Sequence, residues 1–303
     1  MDVAIMLEGQ HGLNWPRWQR IARAVEDLGF AGLYRSDHFT NSNPPDMDSL
    51  ELWISLAWLA SHTTRIEFGP MVSPVSFRHP IWTARMAKDV DNLSGGRLIL
   101  GVGAGWQERE HTNFGFDLLE IPERFDRFEE GLEVITRLLR EEKPITLQGD
   151  YYQLQDAILL PHPERAGGTR VLIGGNGEKR TLPLVARYAN EWNGVFLPPA
   201  RYTERNARLT ALLEKEGRDP QQVRRSLMTR VVFGRDEAAM HAELAEMGTT
   251  AEAARERGIV VGTAAAVQEQ LGQLAEAGVQ RVMLQWMALD DLDRLAALAE
   301  AVL

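Results

Sequence analysis

The 303-residue sequence has no cysteine, which excludes disulfide bonds, thiolate metal sites and a cysteine nucleophile. Its first residues, Met1 to Glu8, lack the basic region and the long apolar core of a signal peptide. They are also too short to span a membrane. These absences favour the cytoplasm, and we expect no contact with a membrane.

Basic residues are also scarce. Lysine and arginine number 33 against 43 aspartates and glutamates, so the formal net charge is -10 at pH 7. A nucleic-acid surface needs a basic footprint for its phosphate contacts, and this balance argues against one. An anionic ligand would need a local group of basic side chains or backbone amides.

Motifs of several common enzyme classes are absent too. The chain has no G-x-S-x-G elbow and no P-loop, which argues against a serine hydrolase or an NTPase. None of the seven histidines belongs to an H-E-x-x-H motif, and Glu108-Arg109-Glu110-His111 lacks the spacing of zinc ligands. No metal site is predicted.

What the chain does contain is a regular alternation of strand and helix signals without a linker. With 44% hydrophobic and 25% charged residues, residues 1–303 have the composition of a single globular domain. Eight apolar runs predict strands, at residues 3–8, 32–38, 66–73, 97–103, 170–173, 191–196, 227–233 and 281–286. Helical patterns lie between them, so we predict an α/β fold, a (β/α)8 TIM barrel with insertions. Such barrels carry their chemistry at the carboxyl ends of the strands.

Two segments go beyond a simple barrel. Residues 145–160 alternate around Gly149-Asp150, which predicts an inserted β-hairpin. Residues 247–261 are rich in charge, alanine, threonine and glycine, and they are longer than a normal connection. This second segment is either a mobile lid over the strand ends or a solvated helix pair.

Glycines gather at two predicted strand ends. Gly101 and Gly103 suggest a dinucleotide fingerprint, but Trp106 stands where its third glycine belongs. Because Trp106 comes directly after this glycine-rich strand end, we single it out among the tryptophans as a candidate ligand contact.

Gly174-Gly175-Asn176-Gly177 follows a strand and opens a predicted helix from Lys179 to Ala189, so its amides could hold a phosphate. Lys179 and Arg180 would then lie in the first helical turn, where the helix dipole disfavours cations unless an anion is bound. A tight turn with two solvated side chains is the alternative.

Asp37-His38, at the end of the second predicted strand, is the best candidate for acid–base chemistry. Histidine titrates near physiological pH, and a neighbouring carboxylate can fix its tautomer. Adjacent strand residues point to opposite faces, so the two can cooperate only if the strand ends at Ser36 and the backbone turns. A purely structural dipeptide is the alternative.

Several of these motifs, taken in order, resemble the luciferase-like monooxygenase superfamily, and more closely its branch of coenzyme F420-dependent oxidoreductases. The resemblance runs from Glu8 to about Gln285. It is carried by residues 35–39 (RSDHF), 77–80 (FRHP), 94–98 (SGGRL), 101–106 (GVGAGW), 173–175 (IGG) and 186–193 (ARYANEWN).

The resemblance implies a homodimer of (β/α)8 barrels that binds F420, or alternatively FMN, at the carboxyl ends of the strands and acts on a small molecule. It implies that Asp37 and His38 contact the deazaflavin and that His38 transfers the proton. Met71, Val72 and Ser73 would back the ring, with a non-proline cis peptide at Met71-Val72 or, alternatively, a cis Ser73-Pro74 bond.

Further positions follow from the same resemblance. The segment beside the cofactor chain would be Gly103, Ala104 and Gly105, and the phosphate loop would be Gly174, Gly175, Asn176, Gly177 and Lys179. Arg180 and Arg78 are further candidates for the anionic tail. Trp106 replaces the glutamate of the sugar-phosphate dehydrogenases, which argues against a sugar phosphate substrate. Candidates for the substrate side are Glu8, Gln10, Trp53, Glu108 and His111.

The function expected from these residues is an F420-dependent oxidoreductase that moves a hydride between C5 of the deazaflavin and a small organic substrate. His38 would be its acid or base. Ser36-Asp37-His38 favours this function over an FMN-dependent two-component monooxygenase. A non-catalytic flavin-binding or scaffold protein is the second alternative, against which Asp37, His38 and the phosphate-loop glycines count.

Overall fold

The computed structural model describes residues 1–303 as alternating strands and helices. The strands are β1 Asp2–Leu7, β2 Gly32–Arg35, β3 Glu67–Pro70, β4 Ser73–Pro74, β5 Ile99–Gly103, β6 Ile145–Gln148, β7 Gln153–Ala157, β8 Arg170–Gly174, β9 Glu191–Val195, β10 Arg224–Phe233, β11 Val260–Gly262 and β12 Arg281–Gln285. The helices are α1 Trp15–Leu28, α2 Leu52–His62, α3 Pro80–Leu93, α4 Glu108–Phe114, α5 Ile121–Arg140, α6 Thr181–Tyr188, α7 Pro199–Lys215, α8 Glu237–Glu246, α9 Ala251–Glu256, α10 Ala264–Glu276 and α11 Leu292–Val302, with a 3-10 turn at Pro220–Gln222.

The main sheet is parallel and curls into a barrel. Its order is β3-β2-β1-β12-β10-β9-β8-β5-β4, and a bridge between Phe68 of β3 and Leu98, just before β5, brings its ends together. β3 and β4 are the two halves of the single strand predicted over residues 66–73, interrupted at Met71 and Val72. The predicted (β/α)8 barrel is therefore confirmed.

Local signals explain where the helices begin and end. The side chain of Asn14 caps α1, and Gly29 ends it in the left-handed region at φ 97°. α3 spans Pro80–Leu93, as predicted, with proline at its first position. No helix combines the length and the apolar composition that crossing a membrane requires.

Both predicted insertions have defined structures. β6 and β7 pair antiparallel, which confirms the hairpin, and the Glu130 carboxylate accepts hydrogen bonds from backbone amides of its turn. Within residues 247–261, α9 is followed by β11, which pairs in parallel with β10. Ala254 and Ile259 pack there in a small core of their own, so the segment is a packed helix and strand rather than a helix pair. Its role as a lid remains a prediction.

Charged side chains form a network at the amino ends of the strands. Arg281 is 2% exposed; it donates a 2.7 Å hydrogen bond to the Tyr34 hydroxyl and binds the Glu67 carboxylate. Its guanidinium also lies 3.7 Å from the buried Glu191 carboxylate, and Arg224 contacts Glu67 at 3.0 Å. This network joins the strand starts of β3, β9, β10 and β12, away from the carboxyl rim.

We predict that Arg281→Met lowers the free energy of unfolding by about 3 kcal/mol, because it leaves the buried Glu191 and the Glu67 carboxylate short of a counter-charge. Urea denaturation measures the change. Arg20→Met is the matched control, since the Arg20 side chain is 54% exposed in its pair with Asp290; its loss should stay below about 1 kcal/mol. Equal losses in the two variants would contradict the prediction.

Candidate active site

A cavity of about 510 Å³ opens at the carboxyl ends of the barrel strands, a volume typical of small-molecule sites. Its position is the one that the barrel fold predicts. Residues singled out from the sequence that line it are Glu8, Gln10, His38, Met71, Val72, Gly105, Trp106, Gly174 and Gly175.

The shape of the rim near His38 is set by Arg35, the last residue of β2. Its fully buried guanidinium donates hydrogen bonds of 2.7 Å to the Leu50 carbonyl and 2.7 Å to the Ser55 hydroxyl. Gly9 leaves room for it, because a Cβ there would collide with the guanidinium. The backbone therefore leaves the sheet before Asp37, the condition under which the two polar side chains can serve one site.

The predicted pairing of Asp37 with His38 does not occur. The Asp37 carboxylate accepts a 2.8 Å hydrogen bond from the Ser73 hydroxyl and a 2.5 Å bond from Arg78. Asp37 is buried, and its charge is balanced by Arg78 rather than shared with the imidazole. Arg78 also contacts Glu51 at 2.9 Å, so this arginine is already neutralised.

His38 has a different carboxylate partner, Glu110. The imidazole Nδ1 lies 2.8 Å from Glu110 Oε1, and the other carboxylate oxygen accepts the Phe39 backbone N–H at 2.9 Å. Because a carboxylate only accepts, Nδ1 must carry the proton. His38 Nε2 has no hydrogen-bond partner, and His38 lies on the cavity wall.

The surroundings of His38 act on its pKa in opposite directions. Burial disfavours the imidazolium and lowers the pKa, whereas the hydrogen bond and the charge of Glu110, with Glu8 and Asp37, favour it. The second group prevails, so the pKa of His38 stands above its ordinary value. His38 is therefore suited to hold a proton near neutral pH and to release it from Nε2.

Sequence reasoning did not select Glu110, although it selected Glu108 and His111 from the same segment. Glu110 is 1% exposed on α4, while Glu108, the first residue of the same helix, is exposed to solvent. His111 is buried, with its two ring nitrogens 2.7 Å from the Gln107 carbonyl and 2.8 Å from the Ser76 hydroxyl. Helical phase could have separated the two glutamates, but only once the start of α4 was known.

The wall formed by Met71 and Val72 contains the predicted non-proline cis peptide bond, and Ser73-Pro74 is not cis. Val72 lies against the glycines of two strand ends. A Cβ on Gly103 would come within 2.7 Å of Val72 Cγ2, and a Cβ on Gly174 within 3.3 Å of Val72 Cγ1. These glycines are needed so that the Val72 side chain can project between β5 and β8.

At the predicted phosphate loop, the two basic side chains do not lie where the sequence placed them. α6 begins at Thr181, so the placement of Lys179 and Arg180 in its first turn is wrong. Lys179 is exposed and outside the cavity wall, and Arg180 pairs with Asp126 at 3.0 Å.

The loop backbone itself remains available. The amides of residues 176–178 have no acceptor within the protein, as an anion site requires. The Asn176 side chain is already used, since it exchanges two hydrogen bonds with the Val195 backbone. It fixes the loop to the end of β9.

The remaining candidates are divided between the cavity and other places. Glu8 and Gln10 lie on the wall and are joined by a 2.9 Å hydrogen bond. Trp53 belongs to the main core, and neither it nor Glu108 nor His111 lines the cavity. Gly103 and Ala104 also lie outside the wall, behind Gly105.

The wall includes further residues that the sequence did not single out: His11, Phe196, Arg230 and Gln285. Burial lowers the pKa of His11, and Arg230 and His38 act in the same direction against Glu8. Arg230 was assigned to the middle of a strand predicted to run to Phe233. All four lie at or beyond the level where neighbouring barrel strands end, which is the signal that could have found them.

Comparison with known proteins gives relatives for nearly the whole chain. The family model described as luciferase-like monooxygenase matches residues 1–297. The F420-dependent glucose-6-phosphate dehydrogenase of Kineococcus radiotolerans is 30% identical over 223 residues, 71% of this chain and 63% of that relative. The 4-hydroxyprotoasukamycin monooxygenase of Streptomyces nodosus subsp. asukaensis is 31% identical over 188 residues, 62% of this chain and 49% of that relative.

The chain thus spans about half to two thirds of the length of these curated relatives. Among solved structures, an F420-dependent secondary alcohol dehydrogenase in complex with an F420-acetone adduct superimposes with a TM-score of 0.86 at 17% identity, covering 100% of this chain and 99% of that one. This likeness concerns the fold. The match of the family model over residues 1–297 shows that the chain belongs to the luciferase-like monooxygenase family.

Proposed function

We propose that this protein is an F420-dependent oxidoreductase that moves a hydride between C5 of the deazaflavin and a small organic substrate, with His38 as acid or base. The observation that carries the proposal is the His38–Glu110 pair on the cavity wall, which leaves His38 Nε2 without a partner. Relatives named as F420-dependent dehydrogenases support the choice of cofactor.

The residues present fit such a cofactor. The wall at Met71 and Val72, seated on the strand-end glycines, offers a smooth apolar surface for a flat ring. Gly174 and Gly175 continue that wall, and the unpaired amides of residues 176–178 follow directly and would hold the phosphate. Exposed Lys179 is available to the anionic tail, whereas Arg78 and Arg180 are engaged by carboxylates of the chain.

A bound deazaflavin would supply or accept the hydride. The protein would supply the proton at His38 Nε2, and Glu110 would hold the ring with its proton on Nδ1 so that Nε2 remains free. In the direction of reduction His38 donates to the substrate oxygen, and in the direction of oxidation it accepts that proton. Asp37 fixes the rim through Ser73 and Arg78 and adds negative charge that favours the imidazolium.

The cofactor assignment is tested by titrating the purified protein with F420 and, separately, with FMN, followed by tryptophan fluorescence. We expect saturable F420 binding and much weaker FMN binding. Preference for FMN would favour the alternative, an FMN-dependent two-component monooxygenase; the Streptomyces relative is named as a monooxygenase. Binding of neither would overturn the proposal and favour a non-catalytic protein.

The role of Glu110 is tested by Glu110→Gln, which removes the charge but keeps the shape. The pKa of His38 should then fall, because burial lowers it and the main opposing influence is gone. NMR titration of the His38 ring protons measures this pKa. The pH profile of turnover should move in the same direction, toward lower pH.

Glu108→Gln on the same helix is the matched control, since Glu108 is exposed and contacts neither imidazole nitrogen; it should leave the midpoint unchanged. His38→Gln assigns the resonance and should lower kcat by about 10²- to 10⁴-fold with F420 binding retained. An unshifted midpoint in Glu110→Gln, or full turnover in His38→Gln, would contradict the assignment.

We further propose that the protein is a homodimer. α2 and α3 pack side by side, and Ile54 of α2 and Trp82 of α3 leave 61% and 53% of their surface exposed. Large apolar side chains left exposed on neighbouring helices are typical of an interface between copies.

Sedimentation velocity should therefore give a dimer for the wild type and a monomer for Ile54→Glu, because a charge in an apolar interface lacks a partner. Ile121→Glu replaces an equally exposed isoleucine on α5 and should remain dimeric. A monomeric wild type would rule out the proposal.

A further inference from the structure

Trp106 is an uncovered aromatic side chain beside the reacting histidine. It is 62% exposed, and it lines the cavity next to His38. The centres of the two rings are 5.6 Å apart and their planes stand at 83°, so they meet edge to face. A tryptophan left this open within a cavity offers a large apolar surface for a ligand to cover.

Four polar residues of the cavity wall, Glu8, Gln10, Ser36 and Gln285, are already paired with one another. Glu8 accepts hydrogen bonds from Gln10 at 2.9 Å and from Gln285 at 2.6 Å. The Ser36 hydroxyl donates to Gln10 at 2.7 Å and accepts from the Gly9 amide at 2.8 Å. A polyhydroxylated ligand would find no free partner at these four residues, and each unpaired hydroxyl costs free energy.

Apolar side chains form another part of the wall. Four methionines contribute to it, Met6, Met71, Met228 and Met287, and methionine adapts its shape to flat apolar ligands. Arg230 is held by Glu243 at 3.1 Å. Beside Trp106, His38 Nε2 is an unpaired ring nitrogen on the cavity wall.

We propose that Trp106 is a specificity-determining residue, selecting substrates in which a planar or cyclic apolar group carries a single carbonyl or hydroxyl oxygen. This inference rests on the proposed function. The ring of the substrate would pack on the indole, and its oxygen would meet His38 Nε2. Reduction of such a ketone breaks the C=O π bond: the carbon takes the hydride of the reduced deazaflavin, and the oxygen takes the His38 proton.

The test compares ligand binding to the wild type, Trp106→Ala and Trp106→Phe by isothermal titration calorimetry, with acetophenone and glucose 6-phosphate as probes. Loss of the indole should weaken acetophenone binding about tenfold, the size of one aromatic contact and its buried area. Phenylalanine should restore most of it. Glucose 6-phosphate should bind more weakly than acetophenone to the wild type.

The matched control is Trp15→Ala, which removes an exposed tryptophan on α1 outside the cavity wall and should bind acetophenone as the wild type does. Thermal unfolding establishes that each variant is folded. Equal acetophenone affinity in Trp106→Ala and the wild type, or tighter binding of glucose 6-phosphate than of acetophenone, would overturn the inference.

F420 binding to the same variants separates this inference from the proposed function. Trp106→Ala should bind F420 as the wild type does. If the wild type fails to bind F420, the proposed function falls, whereas the acetophenone comparison still decides the role of Trp106. If F420 binds and acetophenone affinity is indifferent to residue 106, only the specificity inference falls.

Discussion

The buried guanidinium of Arg35 is the interaction on which the site depends. It binds the Leu50 carbonyl and the Ser55 hydroxyl, and so ties the end of β2 to the start of α2 across the long connection between them. Burial lowers the pKa of Arg35 to about 10, a sign of how unfavourable the charge would be without these partners. The strand therefore stops at Arg35, and the following side chains leave the two-face alternation of a strand.

Beyond this strand end, the adjacent residues Asp37 and His38 have separate roles. Asp37 turns toward Ser73 and Arg78 and fixes the rim against the loop that follows β4. His38 turns toward Glu110 of α4 and keeps one ring nitrogen free. The two carboxylates, Asp37 and Glu110, thus have separate partners: one is an arginine that never loses its proton, and the other is an imidazole whose pKa is raised by its carboxylate partner.

The two ends of the barrel have opposite chemistry. At the amino end, Arg281 joins the carboxylates of Glu67 and Glu191 in a charged network, which favours stability. At the carboxyl end the part of the wall formed by Met71 and Val72 is apolar, and glycines permit the approach of Val72. The burial of Glu110 and of most of His38 strengthens the influence of Glu110, because electrostatic interactions gain in a low dielectric.

Local pattern was enough for the strands, most helices and the hairpin, because burial on a barrel wall or a helix face imposes a period that the residues display. The resemblance added the bond at Met71-Val72. The local pattern placed the start of α6 wrongly. This helix begins at Thr181 and not at Lys179, because the turn at residues 178–180 has no apolar period to mark it. Of the candidates for the substrate side, Glu8 and Gln10 lie on the cavity wall, whereas Trp53 belongs to the core and His111 is buried.

The sequence by itself determined the barrel, its insertions and the strand ends at which polar residues gather, because these follow from apolar periods and turn residues along the chain. Only the tertiary structure decided which of those residues meet. Glu110 reaches His38 across 72 positions of sequence, and no local period records such a contact. Partner choice at the site depends on helical phase and on where each strand stops, and both are fixed by packing between distant segments.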